Sequence, residues 1–181
     1  MKYFILLMSL FATACQNSGH SNAAPTPEPT PVEKPIFHHV AEGSINGRTW
    51  QFAAGAASLF KRNNQYYLEI RLWNQTYSNP CDQIVGSTLQ TRVYVENREG
   101  LGKIDPTDPF SLIPTIIFSD LTDTSYRNNM IASEGFIQID RIANGRVVGS
   151  IQGDFNSSGV GKTEVDGNFD VPFCAQKNAL D

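Results

Sequence analysis

Beyond His39 the sequence contains no histidine; the three it has are His20, His38 and His39. That removes Ser-His-Asp hydrolysis and histidine-based zinc sites from the remainder of the chain. Neighbouring residues of an extended chain point to opposite sides, so His38-His39 does not make a ready metal pair. The sequence is also poor in positive charge, with 14 Lys and Arg against 18 Asp and Glu and a net charge of -4. No basic stripe exists to grip a phosphate backbone, so nucleic acid is not expected as a partner. No stretch repeats with the 3.6-residue period of an amphipathic helix. No apolar run reaches the roughly 20 residues that a membrane-spanning helix needs. Cysteine is scarce: Cys15, Cys81 and Cys174 are the three present, and none lies in a Cys-x-x-Cys redox arrangement.

What is present begins with an address. Lys2 precedes the apolar stretch Tyr3 to Phe11, and Ala12-Thr13-Ala14 supply the small residues that a signal peptidase requires. Cys15 follows at once. This resembles the bacterial lipobox, in which the cysteine thiol is acylated and becomes the new N-terminus; Ala12 stands where leucine is usual. The resemblance implies a signal peptide over residues 1–14 and lipidation of Cys15. It also implies an outer-membrane destination, because Gln16 rather than Asp follows the cysteine. The alternative is an ordinary signal peptide cut after Ala14, with Cys15 left as a thiol. In residues 15–40, Pro25, Pro27, Pro29 and Pro31 alternate with small or polar residues. Proline fixes φ and lacks a donor, so this stretch is expected to be an extended spacer.

From residue 41 to about 176 the signals are those of strands and turns, with 177–181 as a tail. Asn46-Gly47 and Asn144-Gly145 are hairpin turns. Gln65–Trp73 alternates, with Leu68, Ile70 and Leu72 on one face. Arg92–Glu96, Gly135–Ile142, Arg146–Phe155 and Thr163–Phe173 alternate likewise, and Thr115–Phe118 is a short apolar run. About seven or eight strands with hairpin-length links predict an all-β antiparallel meander, either a small barrel or a sandwich. Gly153 and Gly167 each precede a phenylalanine by two residues, and Phe155 and Phe169 are expected to cover bare strand backbone. This layout over residues 43–174 resembles a class of small bacterial lipoproteins that open on an Asn-Gly hairpin and a tryptophan and close on Gly-x-Phe strands. The resemblance implies a fold and no activity.

If Cys15 carries lipid, Cys81 and Cys174 remain as an even pair in an oxidising compartment, and a disulfide between them is expected. It would close a loop of roughly 90 residues and contribute on the order of 4 kcal/mol. Asp105, Asp108, Asp120 and Asp123 supply oxygens of the type that Ca²⁺ takes, but not at calcium-loop spacing, and no metal or cofactor is expected. Asp166 and Asp170 read as solvent-facing. Asn74-Gln75-Thr76 and Asn156-Ser157-Ser158 fit the glycosylation triplet, which carries no weight behind a lipobox.

Two surfaces stand out. One is the long connection Glu99–Leu112; the other is the aromatic group Tyr66, Tyr67, Trp73 and Tyr77, expected to be core. The functional expectation is a non-enzymatic, lipid-anchored β domain that binds a protein or glycan of the cell envelope. The alternatives are a small-ligand barrel, or an envelope enzyme inhibitor resembling the small disulfide-linked barrel lipoproteins that block lysozymes.

Overall fold

Three asparagine-led turns organise the chain into hairpins. Both central residues have positive φ in Asn46-Gly47 (54° and 72°), Asn63-Asn64 (48° and 61°) and Asn144-Gly145 (53° and 68°). That is the type I′ geometry whose twist matches paired strands. A computed structural model describes residues 36–82, 88–108, 113–122, 128–156 and 161–174. These belong to one unit that begins at Pro35. Cys15, the residues 1–35 around it, Asp123, Ser157-Ser158 and the tail 177–181 lie outside the described residues.

The strands are β1 (Glu42–Ile45), β2 (Arg48–Gln51), β3 (Ala54–Arg62), β4 (Gln65–Trp73), β5 (Leu89–Glu96), β6 (Gly100–Lys103), β7 (Thr115–Asp120), β8 (Asn128–Ile131), β9 (Glu134–Ala143), β10 (Arg146–Phe155) and β11 (Thr163–Pro172). They form two antiparallel sheets. One has six strands in the order β2-β1-β11-β10-β9-β6, the other five in the order β3-β4-β5-β7-β8. Among the described residues the two do not hydrogen-bond into one closed ring. The fold is therefore a sandwich, and the choice left open by the sequence falls against the barrel. Eleven strands are described because four-residue segments such as β1, β2, β6 and β8 pair as well as the longer ones.

The inward faces are the apolar ones. Leu68, Ile70 and Leu72 of β4, Val93 and Val95 of β5 and Ile116 and Phe118 of β7 meet Ile137, Ile139, Val147, Ile151, Val165, Phe169 and Val171 from the other sheet. Trp50 is buried among them and its indole N–H donates to the Leu89 carbonyl across the sheets, at 3.2 Å. The glycine–aromatic pairing is real but shifted. Phe169 lies opposite Gly149, where a Cβ would overlap both the Phe169 ring and the Gln138 carbonyl. Phe155 lies opposite Thr163, not a glycine. Gly167 has another reason to be bare: with φ +124° it lets residues 40 and 41 cross its backbone. The incoming chain is fixed there by Asn168, whose amide donates to the carbonyls of Phe37 and His39.

Candidate functional site

The disulfide is formed between Cys81 and Cys174, 93 residues apart. Cys81 sits in a single 3-10 turn, Pro80–Asp82. Cys174 follows β11, and its amide donates to Ala57 of β3 at 2.7 Å. The bridge thus draws the β4–β5 connection over the outer face of the five-stranded sheet. Trp73 points to that outer face. It is 1% exposed because Tyr77 packs edge-on against it at 5.1 Å and its indole N–H donates to Gln90. Tyr67 lies against Phe60 on the same face. Tyr66, on the opposite side at the strand end, is exposed under Lys61. The aromatic group is therefore not one core cluster. Trp73 is buried outside the inter-sheet core, and Tyr66 is surface.

Beside this covered region the same face carries an uneven charge cluster. Arg71 and Arg92 are directly opposite each other in the β4–β5 register, an arrangement that repels when nothing lies between. Glu69 is the carboxylate that holds them. Arg71 grips it with two parallel bonds of 2.9 Å. Arg92 Nε stands 4.0 Å from it, and that buried nitrogen has no hydrogen-bond partner. Tyr94 donates to Glu69 at 3.2 Å and receives a bond from Arg92 at 3.4 Å. Burial, opposed by Arg92 and helped by Glu69, raises the Tyr94 pKa, so the phenol remains a donor. Phe60 walls the cluster, with its ring 5.3 Å from Tyr94. A cavity of about 150 Å³ opens here, bordered by Ser58, Phe60, Glu69, Arg71, Trp73 and the disulfide. Arg71 borders this cavity and Arg92 stands beside it. Two guanidinium groups against one carboxylate leave one positive charge on this face, suited to a carboxylate or phosphate.

The opposite face of the molecule has the reverse sign. Across the six-stranded sheet Glu134, Asp154 and Glu164 are register neighbours, as are Glu42 and Asp166. Burial and then Glu134 and Glu164 raise the Asp154 pKa. His39 lies 3.6 Å from Asp166 and 3.9 Å from Glu42. Asp166 is half-exposed, and Asp170 pairs with Arg146 at 2.6 Å. Among the described residues, no three His, Cys, Asp or Glu side chains converge on a point that would hold a metal.

Of the four aspartates weighed for calcium, Asp105 and Asp120 are engaged locally. Asp105 accepts from the Thr107 amide and hydroxyl, which hold its carboxyl below the ordinary range. Asp120 accepts from Thr122, Asn46 and Arg48. Asn74, of the glycosylation triplet, is a structural acceptor for Thr88 and the Leu89 amide. The long connection after Glu99 is in part strand: β6 pairs with β9. It borders a second cavity of about 380 Å³ with Val95, Ile113 and Pro114.

Compared with protein-family models, curated proteins and solved structures, the chain matches none. The Arg71–Arg92 pair escapes sequence reasoning because β4 and β5 are separated by the disulfide-bound connection. The alternation that puts both arginines on the outward face was readable, but their registration was not.

Proposed function

We propose that this chain is an outer-membrane lipoprotein held through lipid on Cys15, with the proline-rich stretch as spacer and the sandwich as a non-catalytic binding module. Its binding face is the outer side of the five-stranded sheet, and its partner is an envelope protein or glycan bearing acidic groups. The observation that carries this reading is the Arg71–Arg92 pair, balanced among the described residues by Glu69. The acidic far side would turn the molecule so that this face meets an anionic partner first. A second reading, inhibition of a lysozyme-type enzyme, draws on the same pair: glycosidase clefts carry two carboxylates, which guanidinium groups would answer. The small-ligand barrel loses its support, since two open sheets packed on a filled core offer no barrel lumen.

Two measurements test this. Mass spectrometry of the mature protein is expected to find Cys15 at the N-terminus carrying acyl chains; an unmodified thiol there overturns the anchor. Full-length protein is expected to bind isolated cell-wall sacculi whose carboxylates are free. Arg71→Gln together with Arg92→Gln should weaken that binding at least tenfold, about 1.4 kcal/mol. Blocking the wall carboxylates should do the same. Equal binding by wild type and double variant removes the face from the reading, and a lysozyme assay with both proteins decides the second.

A further inference from the structure

The sheet ends are not treated alike. The free side of β3 is covered: Ala57 bridges Phe173 and accepts the Cys174 amide, with the disulfide beside them. β6, the last strand of the six-stranded sheet, pairs with β9 alone among the described residues. Such an edge is a template for another strand.

The register shows which atoms face outward. The Ile104 amide donates to the Gly135 carbonyl. In an antiparallel ladder hydrogen-bonded pairs alternate, so Gly102 and Gly100 bond toward β9, while the backbone groups of Leu101 and Lys103 face the open side. Their side chains share the outer face, and Leu101 is exposed to 39%, one of few large apolar side chains left in solvent among the described residues. The two positions on the inward side are glycines, and the Pro114 side chain packs beneath Gly102.

The segment Glu99-Gly100-Leu101-Gly102-Lys103 is a palindrome of chemistry. We infer that β6 pairs with β6 of a second copy of this chain, antiparallel and centred on Leu101, joining two six-stranded sheets. In that register Leu101 meets Leu101, glycine meets glycine, and Glu99 meets Lys103 at both ends. Leu101 and Lys103 are the strand residues whose backbone faces the open edge, so a centre at Leu101 satisfies the parity of the ladder. Glu99 stands one residue before the strand, where its carboxylate also accepts from the Ile142 amide at 3.2 Å. The interface is isologous, as two-fold symmetry demands. The free edge of β2 does not share this property, since Arg48-Thr49-Trp50-Gln51 carries a cation and no acid.

The test uses the full-length chain in the membranes of cells that express it. Opposed residues of such a pair have Cα atoms about 5.5 Å apart, within the span of a disulfide. Leu101→Cys is expected to give a covalent dimer under mild oxidation, seen on non-reducing gels and absent from wild type. Thr107→Cys, an exposed position off the strand, should give little. In the Leu101→Cys background, Glu99→Lys or Lys103→Glu alone should cut the dimer several-fold, and the two together should restore it. A dimer no stronger than that of Thr107→Cys, or one the charge swaps fail to modulate and restore, overturns the inference.

Discussion

Replacing Cys81 and Cys174 together by alanine should lower stability by about 4 kcal/mol and the melting temperature by roughly 15 °C. The size follows from the 93-residue separation of the two cysteines. A bridge this long forbids much of the unfolded chain's freedom, and cutting it restores that freedom to the denatured state. The native state loses something as well. The link holds the turn at Pro80–Asp82 against the end of β11, and with it the Tyr77 cover over Trp73. Denaturant and thermal unfolding of the double variant beside wild type measure the total. Native-state hydrogen exchange separates the contributions: faster exchange at the amides of the β4–β5 connection, with the core of β9–β11 changed only by the global amount, marks the local part. A loss below about 1 kcal/mol would mean that the oxidised and reduced unfolded chains are equally restricted.

That pairing was legible from parity, once the lipobox resemblance set Cys15 aside and left two cysteines to find each other. Other features were legible where side-chain size alternates. β4 was readable from Leu68, Ile70 and Leu72 against Tyr67, Glu69 and Arg71, and β9 to β11 from their alternation around Asn144-Gly145. β3 was not. Its inward residues include Gly55 and Ala57, and its outward ones Ala56 and Ser58, so no contrast of size marks the faces. The smallness has a tertiary cause: a Cβ at Gly55 would strike Val171 and the Arg71 carbonyl. β6 was hidden for a related reason, since glycines hold its inward positions. Its partner β9 lies about 35 residues on, beyond the reach of a local pattern. Trp73 misled because its burial comes from the connection folding over the sheet, not from the core.

The other large effect belongs to Asp120. It ends β7 in the five-stranded sheet, yet its carboxylate receives the Asn46 amide and the Arg48 guanidinium from the β1–β2 hairpin of the other sheet. Thr122 adds its backbone amide at 3.1 Å and its hydroxyl at 2.6 Å. The residue is 4% exposed, so a charge there depends on these donors. Burial by itself would raise the pKa. The Thr122 bonds, the Asn46 bond and the Arg48 charge overrule it and set Asp120 below the ordinary 3.8. A depressed pKa contributes stability that is complete above the unfolded value and is lost as pH falls through the folded one. Asp120→Ala should therefore cost about 3 kcal/mol at neutral pH, because donors from both sheets lose their acceptor. Asp120→Asn should cost less, since its carbonyl still accepts. Asp154 titrates with the opposite sign, its raised pKa favouring the fold when protonated, so the wild-type profile mixes the two. The difference between wild type and Asp120→Asn isolates the first. Urea unfolding across pH should show that difference constant near neutrality and shrinking below about pH 4. A gap that persists unchanged into acid would mean that the Asp120 charge does not join the sheets.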